Sequence, residues 1–175
     1  MKKVLGVFMI TISLFLLTGC TEDTPKTNEQ GNKKTEFQFN ETAIVNDTKI
    51  KLNSVKKVLR ECLVEYDGSC LSEQTPENNF YLVVDLTIEN TGSKDLSVSS
   101  IMSFEMKDTS GEKGKYALLT KSIQSQLDGT VLSNDLLKGQ IAYDVKDSDK
   151  YYFYYTDNLV DSPVKFVINK SDITE

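Results

Sequence analysis

Apolar and polar residues alternate along much of this chain. In FYLVVDLTIEN, Phe80, Leu82, Val84, Leu86 and Ile88 fall on one face of an extended backbone, with Asp85, Thr87 and Glu89 on the other. Period-two alternation of this length predicts a half-buried antiparallel strand. IMSFEMKD repeats the pattern with Met102, Phe104 and Met106 inward, QIAYDV with Ile141, Tyr143 and Val145, and VKFVIN with Val164, Phe166 and Ile168. The five consecutive rings of KYYFYYTD divide in the same way. Tyr151, Phe153 and Tyr155 face the core and Tyr152 and Tyr154 face out. Turn signals stand between the runs at Asn46-Asp47, Asn90-Thr91-Gly92, Ser110-Gly111 and Lys138-Gly139. One stretch departs from this period. In LLTKSIQSQL, Leu119, Ile123 and Leu127 recur every four residues and predict a short helix in a connection. Many strands joined by polar turns predict an all-β fold, an antiparallel β-sandwich formed by residues 37–175.

The first residues follow a different logic. Lys2 and Lys3 precede an uncharged apolar run from Val4 to Leu17, and the run ends in Leu17-Thr18-Gly19-Cys20. Such a segment reads as a secretion signal, too short for a comfortable membrane span. Small residues before the cysteine resemble the lipobox of bacterial lipoproteins, which predicts cleavage after residue 19 and acylation of Cys20. Acyl chains there would hold the protein on the outer face of the cell membrane, with the lipid bilayer as its first partner. Residues 21–36, TEDTPKTNEQGNKKTE, carry no large apolar side chain and read, with Cys20, as a disordered tether over 20–36. Its reach would be roughly 20 to 25 Å.

Removing residues 1–19 takes away two lysines and no acid, leaving 18 basic against 26 acidic side chains, a net charge of −8. An acidic surface repels phosphates, which excludes nucleic acid as an expected partner.

The strings FNETAIVNDTKIKLNSVKKV, FYLVVDLTIENTGSKDL and LLKGQIAYDVKDSDKYYFYY, followed by VKFVI, together resemble a known domain. It is the immunoglobulin-like domain of unknown function of many Gram-positive lipoproteins, grouped with the mycobacterial immunoprotective extracellular protein and termed telokin-like. The resemblance covers about residues 37 to 170 and rests on structural features, a hydrophobic strand ending Ile-Glu-Asn and a glycine before the next-to-last strands. It implies an immunoglobulin-like sandwich and no shared catalytic residues. The segment around Cys62 to Cys70 departs from it and reads as an insertion.

With Cys20 acylated, Cys62 and Cys70 remain in an oxidising compartment and are expected to form a disulfide. A tight hairpin at Asp67-Gly68 would set Cys70 opposite Glu65, so the bridged loop is expected to be wider. Closing it would stabilise the fold by roughly 2 to 3 kcal/mol in the chain-entropy model.

Chemistry is sparse. The chain has no histidine, which removes the usual triads and histidine-based zinc sites, and no cofactor or metal is expected. Ser54 and Lys57 have the serine–lysine spacing of penicillin-binding proteins without the companion motifs. Asp144, Asp147, Asp149, Asp157 and Asp161 flank the aromatic strand, but none forms a calcium loop. An enzyme is therefore not expected. Two readings remain open: an anchored domain that binds a protein, peptide or cell-wall component, or an accessory subunit of a membrane-proximal assembly. A hydrolase of wall polymers has less in its favour. Tyr152 and Tyr154, with Tyr81 from a neighbouring strand, form the candidate ligand patch; alternatively, these tyrosines are only good strand formers whose hydroxyls tolerate water.

Overall fold

The computed structural model describes residues 34–59, 64–66, 69–71, 78–119, 121–156 and 163–175, with only the backbone of 64–66 and 69–71. Its strands, in chain order, are β1 (Glu36–Gln38), β2 (Thr42–Val45), β3 (Thr48–Val58), β4 (Val64–Tyr66), β5 (Ser69–Leu71), β6 (Asn79–Asn90) and β7 (Leu96–Val98). They continue as β8 (Phe104–Asp108), β9 (Lys115–Ala117), β10 (Gly129–Val131), β11 (Asp135–Lys146), β12 (Lys150–Tyr155), β13 (Val164–Asn169) and β14 (Ile173–Thr174). One sheet runs β1-β13-β12-β8; the other runs β14-β3-β6-β11-β9, with β2 on β3. β7 and β10 form a separate ribbon, as do β4 and β5. Most pairings are antiparallel, but β1 on β13 and β14 on β3 are parallel.

The expected faces meet as a sandwich. Phe80, Leu82, Val84, Leu86, Ile88, Ile141, Tyr143 and Val145 line one wall, and Phe104, Met106, Tyr151, Phe153, Tyr155, Val164, Phe166 and Ile168 the other; all are buried in one cluster. Rings lock the walls together: Tyr143 meets Phe153 edge-on at 6.3 Å and Phe80 meets Tyr151 at 6.4 Å. Such pairs contribute about 0.5–1.5 kcal/mol beyond area burial. In β3 the pairing slips between Leu52 and Ser54, a bulge that keeps both Leu52 and Val55 in the core. The Asn53 amide then donates outward to Asp85 at 2.7 Å and to Thr87 at 3.0 Å. Asn90 ends β6 as a buried knot. Its amide donates to the carbonyls of Lys94, Val131 and Leu132, and its oxygen accepts the Gly92 N–H.

Several expectations are corrected. Among its described residues the stretch around Leu119–Leu127 forms no helix. Leu119 anchors it in a small cluster with Tyr81, Val83, Ala117 and Ala142 on the outer face of the larger sheet, while Leu127 enters the main core. Four-residue spacing here marks successive anchors of an irregular strap. Gly139 is not a turn residue but lies inside β11 opposite Leu86, where the strap backbone crosses it. A Cβ there would stand 2.8 Å from the Leu127 Cα. Met102, expected inward, is 82% exposed, because β8 begins only at Phe104 and the alternation before it belongs to a turn. The fold also starts before residue 37. Thr35 accepts the Lys165 N–H at 2.8 Å and Glu36 pairs with Lys165 on β13. Backbone pairing at a sheet edge needs no apolar side chain, so composition alone placed these residues in the tether.

Candidate functional site

The outer face of the four-stranded sheet is where the aromatic run was expected to act. Pairing across β1, β13, β12 and β8 sets Glu36, Lys165, Tyr154 and Glu105 in one row and Gln38, Val167, Tyr152 and Lys107 in the next. Both outward rings are half-buried, and each has a lysine over it. The Lys107 ammonium sits 4.9 Å from the Tyr154 centroid and that of Lys165 5.3 Å from Tyr152. Each lysine belongs diagonally to the other row, so the two rows are stitched together. Beneath them Val167 is buried although it points away from the core.

Carboxylates hold both lysines in place. Lys107 pairs with Glu105 at 2.6 Å, Lys113 also reaches Glu105, and Lys165 pairs with Glu36. Partial burial pushes the Glu105 carboxyl up, but hydrogen bonds and charge from Lys107 and Lys113 outweigh it and leave its pKa below the ordinary value. The Glu36 hydrogen bond raises Lys165, and the Glu105 hydrogen bond raises Lys107. At neutral pH the face therefore carries fixed, alternating charge over two rings. It can meet side chains of complementary charge, but sugar stacking on Tyr152 or Tyr154 would first require a lysine to move aside.

Tyr81 does not join this patch. It lies on β6, in the other sheet, and is only 3% exposed beneath the 118–127 strap. The alternation correctly put it on the outer face of its strand, but nothing in it revealed the strap that covers the ring.

Other candidates are dispersed. Asp144 accepts the Asn79 amide at 2.7 Å and Asp147 pairs with Lys170 at 2.9 Å; Asp157 and Asp161 lie outside the described residues. Among the described residues no group of three or more histidines, cysteines or acids converges on a metal-sized site. Ser54 points outward at the bulge, whereas the Lys57 ammonium lies 4.5 Å from the core ring of Phe80, so the two do not meet. Cys20 and Cys62 lie outside the described residues. Cys70 is described by its backbone in β5, where it pairs with Glu65 while Ser69 pairs with Tyr66. This is the narrow register, not the wider loop that a bridge was expected to need.

Sequence reasoning missed a polar node at the β7–β8 turn. Buried Ser100 donates its N–H and hydroxyl to Asp128 at 2.9 and 2.8 Å and lies 3.1 Å from the Tyr116 hydroxyl, with Gln126 donating to both oxygens. The node pins the strap to the sandwich. Runs of serine and glutamine gave no periodic signal by which to find it.

Three solved structures share the sandwich. A Bacillus subtilis protein described as a "putative lipoprotein (ycdA)" aligns with a TM-score of 0.59 at 22% identity over 75% of this chain, which spans 39% of that protein's length. The yjhA protein of Bacillus subtilis aligns at 0.60 with 18% identity, covering 76% of this chain and 98% of its own. The secreted Mycobacterium tuberculosis protein MPT63 aligns at 0.51 with 10% identity, covering 77% and 95%. At these identities the likeness establishes the fold alone. No curated protein matches the sequence. The family model described as "Domain of unknown function (DUF4352)" matches residues 37–165, most of the sandwich, and the chain belongs to that family.

Proposed function

We propose that this protein is a lipoprotein anchored through acylated Cys20 to the outer face of the cell membrane, and that its sandwich is a non-enzymatic interaction domain of the telokin-like kind. The lipobox-like Leu17-Thr18-Gly19-Cys20 supports the anchor. The observation that carries the interaction reading is the outer face of the β1-β13-β12-β8 sheet, where two rings lie under lysines held by Glu36 and Glu105. Such a face suits a protein or peptide partner of alternating charge better than a sugar chain, whose stacking surface the lysines occupy.

The test is a pull-down from crosslinked cells with the anchored protein and its Tyr152→Ser, Tyr154→Ser double variant. A stoichiometric partner, lost in the variant, is the expected result. A partner kept by the variant would show that the domain uses another surface. Release of wall fragments by the purified protein would sink the non-enzymatic reading. The same export leaves Cys62 and Cys70 as the thiols of the mature domain; we read them as a disulfide, which the Glu65–Cys70 register allows only if the chain before Val64 leaves the β4–β5 ladder and turns back to Cys70. Their joint peptide should appear without reductant and be lighter by two hydrogens than the reduced pair.

A further inference from the structure

The turn between β7 and β8 holds two large apolar side chains in water. Ile101 is 64% exposed and Met102 82%. The turn itself is tightly bonded: the Ser103 N–H donates to the Ser99 carbonyl at 2.8 Å, the Met102 N–H to the Ser99 hydroxyl, and the Ser99 N–H to the Ser103 hydroxyl. Ser100, clamped inward by Asp128, leaves the next two residues at the tip. The structure thus presents Ile101 and Met102 on a built support, where burying them against the domain would otherwise be favourable.

Their place in the fold says what would cover them. Tyr155 of β12 pairs with Phe104 on one side and Val164 on the other, and the Thr156 N–H donates to the Ser103 carbonyl. On the far edge the Thr35 carbonyl accepts the Lys165 N–H. The tip and Lys34, from which the chain runs back toward Cys20, therefore stand at the same end of the four-stranded sheet. Three inter-strand steps separate them, about 15 Å. Residues 21–33 would span about 20 Å if flexible. The tip lies within reach of any surface that holds Cys20.

We propose that Ile101 and Met102 enter the lipid surface beside the anchor and so set which end of the sandwich faces the bilayer. This rests on the lipid-anchored reading above. The contact is apolar: a mature net charge of −8 offers no attraction to anionic head groups, and two side chains add orientation to an anchor that already retains the protein.

The chain has no tryptophan, so M102W installs a single fluorescent reporter at an exposed position. The mature acylated variant, beginning at Cys20, is reconstituted in vesicles of phosphatidylcholine brominated on its acyl chains, with T109W, in the turn at the other end of β8, as the comparison. For M102W, emission should shift to the blue and lose intensity to bromine, while T109W keeps the emission of a ring in water. M102W emission that stays at the aqueous wavelength on floated vesicles overturns the proposal and leaves the anchor standing. A blue shift without bromine quenching, the mark of a second copy or a protein over the tip, also overturns it. Protein that fails to float with the vesicles refutes the anchor itself.

Discussion

Replacing Tyr151 and Tyr143 in turn by phenylalanine removes one oxygen from each of two buried rings, with opposite expected consequences. The Tyr151 hydroxyl donates to the Lys146 carbonyl at 2.6 Å and accepts the Ser148 N–H at 2.9 Å, closing the connection from β11 to β12. Two hydrogen bonds at about 0.5–1.5 kcal/mol each give a loss of about 1–3 kcal/mol. The Tyr143 hydroxyl is buried with no hydrogen-bond partner among the described residues. Its removal relieves a desolvated group and should be neutral or stabilising by up to about 1–2 kcal/mol. At about 2–4 °C per kcal/mol for a domain of this size, Tyr151→Phe should lower the thermal midpoint by several degrees and Tyr143→Phe should hold or raise it. Far-UV circular dichroism through thermal and urea transitions measures both. Equal losses in the two variants would refute the argument, since they would mean that the space filled by the hydroxyl oxygen, not its hydrogen bonding, decides the outcome.

Alkaline pH checks the same reasoning independently. Burial pushes the Tyr151 pKa up to about 12, with the Ser148 hydrogen bond opposing it, and burial pushes Tyr143 up as well. Unfolded tyrosines ionise near 10, so the folded state keeps protons that the unfolded state loses. Stability is then full below pH 10 and falls as pH rises beyond it, for Tyr151 until about 12. Each phenylalanine variant should flatten part of that fall.

Gly139→Ala would press a methyl group onto Leu127, with the Leu127 Cα, N and Cβ at 2.8, 2.9 and 3.0 Å. Because these atoms belong to or adjoin the backbone, a loss of about 1–3 kcal/mol is expected in chemical denaturation, and an unchanged midpoint would show that the strap yields. Asn90→Ala leaves the Gly92 N–H and three carbonyls without their buried partner and should cost at least about 2 kcal/mol. Asn90→Asp should not restore it, because the lost contacts need an N–H donor; recovery in that variant would count against the assigned amide orientation.

Strand faces were legible because period two is a local property. Phe80 to Ile88 and Tyr151 to Tyr155 could be sorted without knowing any partner. The same rule failed at Met102, where alternation runs on past the end of a strand, and at Leu119–Leu127, where spacing alone cannot separate a helix from a strap with anchors on two faces. Gly139 was visible as a glycine, but what approaches it is set by a chain segment twelve residues earlier. The lysines over Tyr152 and Tyr154 depend on register across three strands, which no single strand encodes. Tyr81 was lost to the candidate patch for a related reason, as its outer face is covered by residues nearly forty positions away.

The parallel pairing of β1 with β13 has a mechanical meaning. Tension entering through the residues before Lys34 meets a ladder of only three residue pairs, Glu36–Lys165 to Gln38–Val167, backed by the Glu36–Lys165 ion pair. The twelve-residue strands β6 and β11 lie behind it and carry none of that load directly. Pulled from its N-terminal side, the domain would shed β1 as a fuse and withdraw Phe37 from Phe166, baring the edge of β13 while the larger sheet stayed whole.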